Sequence, residues 1–111
     1  MTYQITVLES AWNDLKALLE FYNARSHDPV LLESLTEYMI DYIETLASFP
    51  ERHVVVFYQG DAPVYKMALS RFSLLIYYSI DFTHRTVVVA QIRHAKENPQ
   101  TIRSLLAIDQ K

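Results

Sequence analysis

VYKMALSRFSLLIYYSIDFTHRTVVVAQIRHAKENP, residues 64–99, decides the fold. In its middle, Leu74, Ile76, Tyr78 and Ile80 alternate with Ser73, Leu75, Tyr77, Ser79 and Asp81, the period of two that a strand shows when one face is buried. The first set is wholly apolar or aromatic, so that face belongs to the core. Thr86 to His94 follows with Val87, Val88, Val89 and Ile92, and β-branched side chains suit a pleated surface. The polar DFTHRT between the two runs supplies a reversal, which makes a hairpin. VYKMAL, ahead of the short SRFS link, adds a third strand in a meander. By simple alternation His94 continues the series Val88, Ala90 and Ile92 and points inward with it.

Outward from this stretch, TYQITVL alternates Tyr3, Ile5 and Val7 with Thr2, Gln4 and Thr6, a half-buried strand expected to join the same sheet. Ser10 is the expected cap of the helix that follows, its hydroxyl accepting from an orphan first-turn amide, with Asp14 near the positive end of the dipole. Ala11, Leu15, Leu18, Leu19 and Tyr22 form that helix's apolar stripe, and Trp12 beside it is expected to pack. Asp28-Pro29 is a cap residue followed by proline at the first helical position. Leu32, Leu35, Met39, Tyr42, Ile43 and Leu46 then recur at steps of three and four, one face of a second helix packed antiparallel on the first. SFP at 48–50 ends it, because the residue before a proline is pushed out of helical angles. HVVVFY is a further strand candidate, with QGDAP as a turn cluster. Asn98-Pro99 opens a short C-terminal helix with Ile102, Leu105, Leu106 and Ile108 on its stripe.

Residues 1–111 have room for one domain and no linker. With 50% hydrophobic residues, a single Gly and no low-complexity run, disorder is disfavoured. MTYQITVLES lacks a basic leader, and no apolar run reaches the ~20 residues of a membrane span, so a cytoplasmic location is expected. The chain has no Cys, which excludes disulfides, thiol nucleophiles and thiolate zinc sites. Charge is divided between the halves. Residues 1–51 hold nine carboxylates against Lys16 and Arg25, a net of −7, whereas residues 52–111 hold eight Lys or Arg against four carboxylates, a net of +4. Such a dipolar surface steers partners by sign, and the basic half is the candidate binding side.

On that half, Lys66, Arg71, Tyr77, Arg93, His94 and Lys96 form the candidate cluster. Cleavage of RNA needs a base for the 2′-hydroxyl, cations for the developing charge and an acid for the leaving oxygen. His94 with Lys66 is the pair that would serve if the protein were a ribonuclease. Binding a protein target asks less, an exposed complementary patch, and Tyr and Arg are the residue types that anchor one. His94 closing a strand also fits a purely structural hydrogen-bonding role. Tyr78, with Leu74 and Ile76, reads as core, and His84 and Arg85 as turn residues. His27, His53, His84 and His94 have no shared ligand spacing, so no metal is expected. Gly-rich phosphate loops, G-x-S-x-G and H-E-x-x-H are absent, and no cofactor is implied.

The order of these pieces resembles the RelE/ParE superfamily of toxins from type II toxin–antitoxin systems, which includes plasmid-stabilisation proteins. The matching residues are Lys66, Arg71, Phe72, Tyr77, Tyr78, His94, Lys96 and Pro99, and AWNDL, a long helix and LASFP extend the likeness along the chain. Tyr65, Ser73 and Glu97 depart from the family pattern, the first and last replacing basic residues. The resemblance implies an α+β fold: an N-terminal strand, an antiparallel helical hairpin packed on a mostly antiparallel sheet of three to five strands, and a short C-terminal helix. It implies a cognate antitoxin as partner, in a hetero-oligomer, and one of two activities. ParE-like members bind DNA gyrase, and H-x-K-E-N-P is closer to these. RelE-like members cut messenger RNA on the ribosome, and the strand from Ser73 to Asp81 lacks the Lys or Arg that the cutting branch places there. The first expectation is therefore a binding toxin. The alternatives are the endoribonuclease and a degenerate, non-toxic interaction module.

Overall fold

The computed structural model describes residues 2–26 and 28–95; the helix expected after Asn98 lies outside them. In chain order the elements are β1 (Gln4–Val7), α1 (Glu9–Ser26), α2 (Pro29–Glu44), β2 (Val54–Gln59), β3 (Ala62–Leu69), β4 (Leu74–Asp81) and β5 (Thr86–His94). They form one five-stranded sheet in the order β1-β5-β4-β3-β2. The meander β2 to β5 is antiparallel, and β1 lies parallel to β5. HVVVFY is thus a full strand at the sheet edge, giving the upper end of the expected strand count.

The turn chemistry follows the sequence. The only Gly, Gly60, has φ 62° between β2 and β3, a conformation that other residues reach only at a steric cost. Asp28 caps α2, its carboxylate accepting from the Val30 amide at 3.0 Å ahead of Pro29. Helix α2 closes through a 3₁₀ turn at Thr45–Ala47, so the helical stretch stops just short of the SFP boundary. Phe49 there has φ 47° and is exposed. Arg52 holds the bend: its guanidinium donates to the carbonyls of Thr45, Ser48 and Phe49 and to the Thr45 hydroxyl.

Both helices lie on one face of the sheet. Ala11 and Leu15 of α1 and Leu35, Met39 and Ile43 of α2, with Leu46, are buried against Met67, Leu69, Leu74, Ile76, Tyr78, Val87, Val89 and Ile92. Each such aliphatic side chain removed from water is worth about 1.5–3 kcal/mol. Tyr78 is fully buried, stacked on Tyr65 with ring centroids 5.3 Å apart, and its hydroxyl donates to the Pro50 carbonyl. The core assignment of Leu74, Ile76 and Tyr78 therefore holds.

Three local expectations are corrected. Ser10 does not cap α1; the helix starts at Glu9, and the Ser10 hydroxyl donates to the Ala90 carbonyl at 2.7 Å. Trp12 is 46% exposed, so it packs only in part, at the edge of the stripe. On β5, Tyr77 is opposite Gln91 but Tyr78 is opposite Val89, so Ala90 is an extra residue in the ladder. A bulge of this kind shifts the alternation by one. Val87, Val89 and Ile92 consequently share the core face, and Val88 and Ala90 do not belong to it.

Candidate functional site

The register sorts the sequence candidates onto two sides of the sheet. Lys66 is opposite Tyr77, and Tyr77 is opposite Gln91. Two rungs along, Ala68, Leu75 and Arg93 are in line. These residues alternate with the core set, so Lys66, Tyr77 and Arg93 share the face turned away from the helices. Around them is a second apolar cluster: buried Val64 and Tyr77, with Val56, Phe57, Leu75 and Ala90 packed against the pair. Gln91 is buried too, and its amide oxygen accepts from the Arg93 guanidinium. Arg93 also reaches round the β5 edge to Asp14, with a nitrogen 3.5 Å from the carboxylate.

His94 is on the opposite side. It is paired with the core residue Leu74 and, past the bulge, shares the face of Ile92. With Asp14, Ala17, Leu18, Phe21, Ile92 and Arg93 it lines an open, mainly apolar groove of about 520 Å³ between α1 and the end of β5. Its inward direction agrees with the sequence reading, although the series it continues is Ile92 alone.

Arg71 stands in the turn between β3 and β4. Its amide donates to the Tyr38 hydroxyl at 3.4 Å, and its guanidinium is 5.0 Å from the Phe72 ring centroid and 5.5 Å from that of Tyr38. Guanidinium groups at such distances are attracted by the ring quadrupole. Phe72 in turn meets Tyr22 and Tyr38 edge-on, Tyr22 meets Phe21, and Tyr38 meets Tyr42. A chain of five rings thus crosses from α1 through the turn to α2. Arg25 caps its Phe21 end with a 3.5 Å approach to the ring centroid.

Lys96 lies outside the described residues. The structure therefore brings Lys66, Tyr77 and Arg93 onto one face, apart from Arg71, while His94 is on the other face and meets only Arg93, in the groove that both line. Lys66 and His94 are on opposite faces and three rungs apart, so the acid–base pair of the ribonuclease reading is not assembled. The aromatic chain and the contacts of Asp14 were not foreseen. The signal for the former was the spacing Tyr38-Tyr42 on α2, an i, i+4 pair, together with RF in the turn. Among the described residues no group of three or more His, Asp and Glu could hold a metal. No described helix is long and apolar enough to cross a membrane. At the far end of the sheet His84 and Asp81 close the β4–β5 turn through a 2.7 Å contact, and the His84 hydrogen bonds hold the Asp81 carboxyl below its usual range.

Known proteins place this arrangement. The family model described as ParE toxin of type II toxin-antitoxin system, parDE, matches residues 5–99. No curated protein matches the chain. Among solved structures, the chromosomal ParDE toxin–antitoxin system from P. aeruginosa is similar with TM-score 0.71 at 12% identity, over 86% of this chain and 98% of that one. A double arginine-to-alanine mutant of E. coli toxin RelE in the free state gives TM-score 0.61 at 14% identity, over 99% and 98%. The archaeal RelE–RelB complex from Pyrococcus horikoshii gives 0.55 at 14%, over 88% and 100%. At such identities these likenesses concern the fold; the family match spans nearly the whole chain, and the protein belongs to the ParE toxin family of type II toxin–antitoxin systems.

Proposed function

We propose that this toxin arrests growth by binding a protein target, DNA gyrase in the ParE-like reading, without cutting RNA, and that a cognate antitoxin neutralises it. The separation of Lys66 from His94 carries the choice between the two activities. General acid–base catalysis requires its groups within hydrogen-bond reach of one reacting centre, and a five-stranded sheet stands between these two. Leu75 is also in the row with Arg93, where a cation would be needed to line a phosphate track. A binding toxin needs neither. Its requirement is anchors of the Tyr and Arg type, supplied by Arg71 with Tyr38 and Phe72 on one side of the sheet and by Arg93 with Lys66 on the other, where Tyr77 is buried beneath them.

An antitoxin partner is supported by the toxin–antitoxin complexes among the structural neighbours, from P. aeruginosa and P. horikoshii. The groove beside His94, apolar and flanked by the exposed ring of Phe21, suits an amphipathic segment that folds as it binds. The test is expression in a bacterial host. Growth arrest is expected, relieved when the adjacent small reading frame is co-expressed; normal growth with soluble, folded protein contradicts the toxin reading. Messenger RNA in a translating extract is expected to stay intact at the same dose, and cleavage abolished by His94→Ala would favour the endoribonuclease.

A further inference from the structure

Helix α2 carries Val30, Glu33, Glu37, Ile40 and Glu44 at steps of three and four, the spacing of a seam along which a second helix can lie. All five are exposed, Val30 at 67% and Ile40 at 40%. Beside Ile40, an apolar pocket of about 140 Å³ lies between α1 and α2, lined by Val7, Leu15, Met39 and Ile43. Trp12 and Ile40 are its two exposed apolar side chains, and the exposed Glu44 is next to them. A cavity of ~150 Å³ with apolar walls holds a benzene ring, so this one has room for a single large apolar side chain.

We propose that this face receives a basic amphipathic helix of a protein partner, which puts one bulky apolar side chain into the pocket and sets its Lys or Arg residues against Glu33, Glu37 and Glu44. Charge selects that occupant. With Asp41, α2 holds four carboxylates and no Lys, Arg or His, and among the described residues none of the four meets a cation. Glu33, Glu37 and Asp41 stand at successive i, i+4 positions, where like charges repel and a partner's cations would relieve them. On α1 the rim is mixed, since Lys16 is one turn past Trp12, between Glu9 and Glu20 in sequence. Nucleic acid and anionic phospholipid are repelled by the same row of carboxylates. The 16 residues of α2 span roughly 24 Å, enough for a partner helix of about four turns. An apolar anchor in a pocket, ringed by paired charges, is the arrangement in which a few residues dominate an interface.

The site is separate from the groove beside His94, and its test involves no growth arrest, so its failure leaves the toxin reading standing. Trp12 is the only Trp of the chain, and its fluorescence reports on the pocket. The probe is a synthetic amphipathic helix of Leu and Lys, about 18 residues long so that it is helical in isolation, titrated into the full chain. A saturable blue shift of Trp12 emission is expected, absent with the Leu and Glu counterpart and weakened by added salt. Ile40→Asp adds charge of the attracting sign yet removes the apolar rim, and a loss of affinity of about tenfold or more is expected. Glu37→Lys with Glu44→Lys, both at exposed positions, is expected to lose as much with Ile40 intact. Unchanged binding in Ile40→Asp, or binding with no change in Trp12 emission, is charge attraction alone and overturns the proposal; should Ile40→Asp fail to fold, undiminished affinity in the charge-reversed variant overturns it. Concentration-dependent dimerisation in sedimentation, abolished by Ile40→Asp, overturns it in favour of a second copy of the chain.

Discussion

The carboxylate of Asp14 accepts the backbone amide of Ile92 at 2.9 Å, across 78 positions of sequence. It is one of three such contacts. β1 pairs with β5 only from Thr86 to Val89, and beyond that the open edge of β5 is completed by the Leu8 amide on the Val89 carbonyl, the Ser10 hydroxyl on the Ala90 carbonyl and the Asp14 carboxylate on Ile92. The first turns of α1 therefore continue the ladder that β1 leaves unfinished. An unpaired strand edge is both an aggregation hazard and a loss of hydrogen bonds.

Removing that acceptor should be costly. Asp14→Ala strands the Ile92 amide and breaks the ion pair with Arg93; a part-buried group left unsatisfied costs about 1–3 kcal/mol. Denaturant melts are expected to show that loss, with faster hydrogen exchange at Ile92. Asp14→Asn, which keeps an acceptor, is expected to recover most of it.

Tyr78 joins the sheet to the loop before β2. Tyr78→Phe removes the donor to the Pro50 carbonyl inside the core, an expected loss of about 1–2 kcal/mol. Tyr78→Ala also empties the stack on Tyr65, and about 3–5 kcal/mol is expected, as for other large aromatic truncations. Burial pushes the Tyr78 phenol well above its ordinary value, so its absorbance is expected to resist alkaline titration until the protein unfolds.

His53 makes stability depend on pH. Its Nε2 is buried with no partner among the described residues, and burial, then the neighbouring Arg52 charge, lower its pKa. The unfolded chain therefore binds the proton more readily than the folded one. As pH falls from neutrality through the ordinary value of about 6.5, the unfolded state gains protons first and stability declines. Thermal melts from pH 7.5 to 5.5 are expected to shift downward, and less so in His53→Gln.

Gly60 isolates backbone strain from packing. A Cβ there would meet nothing within 4 Å, yet φ is +62°. Gly60→Ala is expected to cost about 1–2 kcal/mol through the left-handed conformation alone, measured by equilibrium unfolding with the circular dichroism of the native state unchanged.

Much of this was legible from residues 64–99, because alternation of bulky apolar side chains on β4 reports one buried face directly. β1, the helical hairpin and the Asp28 cap were legible for the same reason: their signals are local. The bulge at Ala90 was not. Ala and Gln at 90 and 91 fit either face, so one inserted residue passes unnoticed in the pattern while it moves Val88 and His94 to opposite sides. Ser10 was misread because a cap signal is judged from its own turn, whereas its partner is Ala90. The cationic cluster looked continuous in sequence, and the turn that carries Arg71 took it to the aromatic chain on the helical side. Tyr77 read as an exposed anchor, but it is buried in the second apolar cluster.

Supercoiling of relaxed plasmid by purified DNA gyrase, titrated with the purified full chain, tests target binding most directly. Inhibition at near-stoichiometric toxin, weakened by Arg71→Ala and unaffected by His94→Ala, is the expected result. Undiminished supercoiling at a large excess of folded protein would contradict it.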